Sequence, residues 1–268
     1  MIIKRQPLKF FLLVFALSLP LWIIETLIDV KGLPLDIPAT DILAAFTPLI
    51  AACILVSKED GRSGVKKLLK RIFDFSRIKQ KKWYAPVIFL PLLLFLLIYG
   101  VMYLMGMSLP TELHISFFTI PFLFVFFFLG AVGEEVGYMG YAVDSLQERW
   151  GAIATGIIIG LPWAIWHYPS ILQQGHGLIW ILWGTLGTIA MRILIIWIYN
   201  NTGKSLFAAI LFHTLYNVGR SLFPKDAIHN PLVDYPNIHY LIIAIIAGII
   251  VFVWGSKTLA RYRYIRKI

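Results

Sequence analysis

Three short motifs place ionisable side chains inside long apolar stretches of the 268-residue chain. Glu134 and Glu135 are adjacent, His167 follows in the next apolar stretch, and His213 stands four residues before Asn217. A carboxylate at low dielectric binds a proton more tightly and can act as a general base toward water. Imidazole and amide groups can orient that water or stabilise an oxyanion. The motifs therefore favour water-dependent hydrolysis, with these five residues as candidate catalytic residues.

The same side chains leave a second chemistry open. Two histidines and one carboxylate form a known open zinc site, so Glu134, His167 and His213 are an alternative set of ligands for a divalent metal. We favour hydrolysis without a metal, because Asn217 is a poor zinc ligand but a good hydrogen-bond donor. The sequence has no evident Ser/His/Asp arrangement and no H-E-x-x-H zinc helix.

The composition indicates that these motifs lie in a membrane. Apolar residues make up 59% of the chain and charged residues 14%, with a mean hydropathy of +0.79, whereas about a quarter of the residues are charged in a soluble domain. A membrane helix needs roughly 20 mostly apolar residues. Eight segments approach this length: 8–28, 40–56, 84–106, 116–143, 152–170, 177–199, 205–222 and 238–256. The sequence therefore predicts an all-α polytopic transmembrane helix bundle.

This bundle is predicted to be a single integral membrane domain over 1–268, with a catalytic core at about 116–222. If the spans alternate and both termini are cytoplasmic, 20 of the 24 Lys and Arg residues fall on the cytoplasmic side, as the positive-inside rule requires. The densest basic block, 61–83, is predicted to be an amphipathic segment that faces anionic lipids. This interpretation accounts for the positive charge without a nucleic-acid partner.

The motif residues also share a depth in the membrane. Counted at the helical rise from one end of each span, Glu134, His167, His213 and Asn217 lie roughly 12 to 23 Å from one membrane face. We therefore expect them to line one intramembrane pocket. Glycines beside the carboxylates are predicted to let neighbouring helices approach closely; these are Gly133, Gly137 and Gly140.

In chain order, the motifs E-E-V-G-Y-M-G-Y, W-A-I-W-H-Y-P and H-T-L-Y-N resemble those of the CAAX protease and bacteriocin-processing family, also called the Abi family. The resemblance covers roughly a third of the chain. It implies that Glu134 activates water with His167 as its partner, and that Glu135 is a supporting carboxylate. It also implies that His213 and Asn217 donate hydrogen bonds to the oxyanion.

The chain departs from the family pattern at two positions. Trp163 stands where the family often has Phe, which keeps an aromatic wall, and Met139 stands where the family usually has Arg. Without that Arg, Glu135 lacks a charge partner on its own helix. Arg192 is the only cation well inside a predicted span, so we expect it to pair with Glu135 or with the Glu134 site while Met139 only packs.

The resemblance implies an intramembrane endopeptidase that acts on a peptide or a lipid-modified protein, in a bacterial cytoplasmic membrane. Two other functions stay open at this point. A catalytically silent immunity or scaffold protein would keep the fold and tolerate loss of a motif residue. A transporter or proton relay would also bury carboxylates and histidines, but it usually has repeated broken helices in two halves, and none are evident here.

Overall fold

The computed structural model describes residues 5–27, 39–110, 118–225 and 229–260, which form helices joined by short connections and no strand. Their bounds are α1 Pro7–Leu27, α2 Ala39–Ala44, α3 Thr47–Lys70, α4 Tyr84–Leu104, α5 Thr119–Gly137, α6 Val143–Trp150, α7 Ala152–Gln173, α8 Leu178–Asn201, α9 Leu206–Ser221, α10 Pro231–Asp234 and α11 Pro236–Trp254. Helices therefore overlap all eight predicted spans.

Six helical segments of the described chain are long and apolar enough to cross a membrane. They are Pro7–Ile24, Thr40–Phe73, Lys81–Leu104, Thr119–Trp150, Leu178–Asn201 and Pro236–Trp254. The chain is therefore a helical integral membrane protein, as its composition predicts. The helices α7 and α9 do not meet the same criteria, and the count of eight spans with both termini cytoplasmic stays a prediction.

The second predicted span, 40–56, is not a single helix. The helix is interrupted by a turn between α2 and α3. Pro48 lies in the first turn of α3, where its missing N–H costs no hydrogen bond. Beyond residue 56 the helix continues to Lys70, with a kink at Gly61, whose φ is +68°. The part after this kink begins the predicted amphipathic segment.

The helix of the fourth predicted span, 116–143, extends past the predicted end of that span. A π-helical turn, Tyr138–Ala142, joins α5 to α6, so the helix runs without a break to Trp150. The chain then reverses at Gly151, whose φ of +81° favours glycine. Turns of π-helix are rare, and those that occur are often at functional sites.

The segments predicted to lie on the cytoplasmic side of the membrane contact each other at one end of the bundle, which is called the basic end here. Its members are residues 5–6, 57–83, 144–151, 200–204 and 255–260. Arg5 pairs with Glu59 at 2.6 Å, and Asn200 bonds both Gln147 and the Thr258 carbonyl. Most of the basic tail, at 261–268, lies outside the described residues.

Small residues bring α5 into contact with the backbone at the start of α3 and in the turn that precedes it. A Cβ atom at Gly133 would lie 2.4 Å from the Ala45 carbonyl oxygen, and one at Gly137 would lie 2.6 Å from the Pro48 carbonyl oxygen. Neither position has room for a methyl group. The predicted close helix contact is confirmed at both glycines, and it fixes the end of α5 that carries the two glutamates.

We expect Gly137→Ala to lower the free energy of unfolding by about 1–3 kcal/mol, because backbone must move to admit the new methyl group. Thermal unfolding of the detergent-solubilised protein measures this loss. Gly130→Ala is the matched control on the same helix, since a Cβ there meets nothing within 4 Å. Equal unfolding midpoints for the two variants would contradict the close contact.

Candidate active site

The predicted site residues converge from four helices in the middle of the described chain. Glu134 and Glu135 lie in the last turn of α5, and Arg192 lies on α8. The helix α7 carries Trp163 and His167, and α9 carries His213 and Asn217. The helix α5 packs on α9, α7 packs on α8, and α8 packs on α9. These contacts bring side chains together that are far apart in sequence.

Glu135 has two buried partners, one for each carboxylate oxygen. Arg192 Nη1 donates to Glu135 Oε2 at 2.6 Å, and neither side chain has any exposed surface. His213 Nδ1 lies 2.8 Å from Glu135 Oε1. The predicted pairing of Arg192 with Glu135 is confirmed. Met139 is also fully buried and packs in the core. The cation that pairs with Glu135 therefore comes from α8 and not from the helix of Glu135 itself.

Aromatic rings hold the rest of the Arg192 guanidinium. Its central carbon lies 4.1 Å from the ring centroid of Trp163 and 4.9 Å from that of Tyr138. In the described part of the chain, Nε and Nη2 of Arg192 have no hydrogen-bond partner. A cation over an aromatic face is stabilised by the ring quadrupole, most strongly where water is excluded. One carboxylate and two rings therefore hold this charge.

Glu134 is held in a different way from Glu135. The Trp163 indole Nε1 donates to Glu134 Oε2 at 2.5 Å. Glu134 is 8% exposed, whereas Glu135 is 0% exposed. One oxygen of Glu134 is thus anchored by Trp163, and the residue keeps a small exposed surface. The resemblance gives Trp163 only the role of an aromatic wall, although tryptophan, unlike phenylalanine, carries an N–H donor that signals this contact.

His167 bonds its own helix rather than a glutamate. Its Nδ1 lies 2.7 Å from the Trp163 carbonyl oxygen. A carbonyl only accepts, so Nδ1 carries a hydrogen and Nε2 of the neutral ring is left as an acceptor. No hydrogen bond joins His167 to Glu134 among the described residues. The Trp163 ring contacts both imidazoles, with ring centroids 5.8 Å from that of His167 and 5.4 Å from that of His213.

Asn217 offers a free amide beside this cluster. It is half-buried and lies one turn after His213 on α9, as the four-residue spacing predicts. Among the described residues, its side chain has no hydrogen-bond partner. An unpaired amide at the edge of a buried cluster is available to bind a ligand or a reacting group.

The charges of the cluster balance in one protonation state. With both glutamates ionised, the positive charges of Arg192 and a protonated His213 make the cluster neutral. A neutral set of charges costs least to bury, because a net charge is poorly solvated in a low-dielectric site.

The described residues contain no group of three or more His, Cys, Asp or Glu side chains that could hold a metal ion. The alternative ligand set of Glu134, His167 and His213 does not form such a group. Each histidine already commits Nδ1, to a carbonyl or to Glu135. Both the metal-free mechanism and the zinc alternative stay predictions.

Comparison with known proteins identifies the family. Residues 115–219 match the family described as Rce1-like, type II CAAX prenyl endopeptidase, and this range contains every predicted site residue. The chain is also 30% identical over 244 residues to CAAX prenyl protease 2 of Methanococcus maripaludis, covering 82% of this chain and 85% of that protein. The chain therefore belongs to the Rce1-like type II CAAX prenyl endopeptidase family and is an integral membrane peptidase.

Proposed function

We propose that this peptidase hydrolyses a peptide bond in a prenylated protein or peptide, with Glu134 as the general base. The observation that carries the proposal is the buried Glu134 carboxylate, anchored at one oxygen by Trp163 and set beside the pair of Glu135 with Arg192. A prenyl group partitions into the bilayer, so it would bring an attached chain to a site inside the helix bundle. The name of the relative from Methanococcus maripaludis supports this substrate class.

In the proposed reaction, Glu134 takes a proton from water as the water oxygen attacks the carbonyl carbon. His167 Nε2 accepts a hydrogen bond from the other water hydrogen, which stays on the attacking oxygen, and so orients the attack. The carbonyl electrons move to oxygen, and a tetrahedral intermediate forms. When the C–N bond breaks, Glu134 returns its proton to the departing amine. Each proton removed from water thus has a stated destination.

The oxyanion needs hydrogen-bond donors, and α9 supplies two. The amide of Asn217 donates one hydrogen bond, and Nε2 of protonated His213 donates another. The contact of His213 Nδ1 with Glu135 fixes the orientation of the ring. In this proposal Glu135 and Arg192 are positioning residues, since they act on the reaction through His213.

We expect Asn217→Ala to lower kcat by about a hundredfold, because one preorganised oxyanion donor is removed. The unfolding midpoint should not change, since the Asn217 side chain has no partner in the described chain. Steady-state kinetics with a prenylated peptide, together with thermal unfolding, separate these effects. A variant with wild-type kcat would remove Asn217 from the reaction.

We further expect turnover to survive removal of divalent metal. Dialysis against a chelator, followed by the same peptide assay, should leave kcat within about twofold, because the proposed base is a side chain. Loss of activity that returns on addition of zinc would favour the alternative metal site instead.

The proposal is tested with purified full-length protein in lipid nanodiscs and a prenylated peptide that has a free carboxyl terminus. Mass spectrometry identifies the bond that is cleaved. The matched control is the same peptide without the prenyl group, for which we expect kcat/KM to fall by about tenfold or more. Equal cleavage of both peptides would contradict the prenyl preference, and cleavage of neither would contradict the proposed substrate class.

Membership of a peptidase family does not favour the silent scaffold or the transporter as the function. The bacterial cytoplasmic membrane and the anionic lipids at 61–83 stay predictions.

A further inference from the structure

A polar cavity of about 400 Å³ lies at the basic end, apart from the glutamate cluster. Three cationic side chains line it, namely Arg5, Lys67 and Arg71, together with Asp60 and the hydroxyl group of Ser63. Its wall also includes Gly140, which belongs to the π-helical turn. The cavity therefore joins the N-terminal segment, the helix after the Gly61 kink and the helix that carries the glutamates.

The cations of this cavity are not all neutralised. Arg5 pairs with Glu59 at 2.6 Å and with Asp60 at 2.7 Å. Lys67, in contrast, has no carboxylate partner among the described residues. A cavity that keeps an unpaired cation beside an arginine and a hydroxyl group suits an anion.

Arg71 adds a second positive charge, and all of its hydrogen-bond partners are neutral groups. Its Nη atoms donate to the carbonyl oxygens of Gly140, at 3.1 Å, and of Lys204, at 3.3 Å, and to the Tyr199 hydroxyl, at 2.8 Å. Its Nε also forms an ion pair with Asp74 at 3.8 Å, but Asp74 is shared with Arg77, which lies closer at 3.3 Å. Hydrogen bonds to neutral groups orient a guanidinium without cancelling its charge.

The neighbouring face of the same helix indicates what kind of anion reaches the cavity. Basic and apolar side chains alternate along a groove formed by Arg62, Val65, Lys66, Leu69, Lys70 and Phe73. A helix with this pattern lies in the plane of a membrane surface, with its apolar side chains in the lipid and its cations at the headgroups. The cavity on its other face is then at the depth of lipid phosphates.

We propose that the cavity lined by Arg5, Lys67 and Arg71 binds the phosphate group of an anionic membrane lipid. The bound phosphate would contact Arg71, which holds the Gly140 carbonyl, and Arg5, which lies over the ring of Tyr141 at 5.3 Å. Both contacts are with the π-helical turn after the glutamates, so the lipid stabilises that turn. This inference concerns binding and does not depend on the proposed peptidase substrate.

Lipid binding is measured as a shift in the thermal unfolding midpoint of the full-length protein in a neutral detergent. The ligands are dioctanoyl phosphatidylglycerol, dioctanoyl phosphatidylcholine and inorganic phosphate, each titrated separately. We expect phosphatidylglycerol to raise the midpoint at concentrations where the other two have little effect. An equal shift with phosphatidylcholine would overturn the anionic lipid site, and an equal shift with inorganic phosphate would assign the cavity to the free ion instead.

Two adjacent lysines give a matched pair of variants. Lys67 lines the cavity, whereas Lys66 lies in the groove on the neighbouring face of the helix, and both side chains are exposed. Lys67→Gln should weaken phosphatidylglycerol binding about fivefold, as expected for one basic residue at a membrane surface. Lys66→Gln should weaken it by less than about twofold. Equal effects of the two substitutions would show binding to surface charge only and would overturn the proposed site.

Discussion

Arg192→Leu is expected to lower the free energy of unfolding by about 3–5 kcal/mol, the cost of leaving a buried charge without its partner. Arg192 and Glu135 have no exposed surface, and their 2.6 Å contact lies in the interior of the bundle. Without the guanidinium, Glu135 keeps only His213 as a hydrogen-bond partner. The rings of Trp163 and Tyr138 also lose the cation between them.

Thermal unfolding in detergent measures this loss, with Arg220→Leu as the control. Arg220 is an exposed arginine in the last turn of α9, so its replacement should shift the midpoint little. Peptidase activity of Arg192→Leu should fall as well, because His213 loses its fixed position. If Arg192→Leu unfolds at the wild-type midpoint, the buried pair does not stabilise the fold.

Two double variants separate the charge pair from general packing. Glu135→Gln combined with Arg192→Met removes both charges, so it should be less destabilised than the sum of the single variants. Met139→Arg combined with Arg192→Met moves the guanidinium to a residue four positions after Glu135, which is within reach on a helix. This second combination should recover part of the lost stability. Strict additivity in the first cycle would contradict direct coupling of the two side chains.

The sequence predicts the helical membrane fold because long apolar segments have few other stable structures in a bilayer. It also predicts the Arg192 pair and the close contacts at Gly133 and Gly137. These predictions succeed for two reasons: a buried charge needs a partner, and a backbone contact needs a small residue. Neither depends on the detailed rotamers of neighbouring side chains.

The other contacts of the site depend on such details. The indole of Trp163 on α7 reaches Glu134 on α5, and the His167 side chain adopts a rotamer that bonds a carbonyl of its own helix. Glu134 and Glu135 are about 100° apart on the helix, so spacing alone did not decide which one His213 contacts. The π turn has no local sequence signal of its own. Packing of several helices determines these features.

Glu134→Gln is expected to reduce kcat by a hundredfold or more, on the order of the full contribution of a positioned general base. Glutamine keeps an oxygen that can accept the Trp163 indole hydrogen, and it is similar in size to glutamate. The variant should therefore fold and still bind the substrate, but it cannot take a proton from water. A change in KM alone would point to a role in binding instead.

The most direct test of the proposed mechanism is the rate of cleavage of a prenylated peptide by Glu134→Gln beside the wild type and Glu148→Gln. Glu148 is an exposed glutamate on α6, outside the buried cluster, so its replacement controls for the loss of a carboxylate as such. We expect wild-type cleavage by Glu148→Gln and at least about a hundredfold loss of kcat in Glu134→Gln, with equal unfolding midpoints for all three proteins. Substantial turnover by correctly folded Glu134→Gln would contradict the assignment of Glu134 as the base.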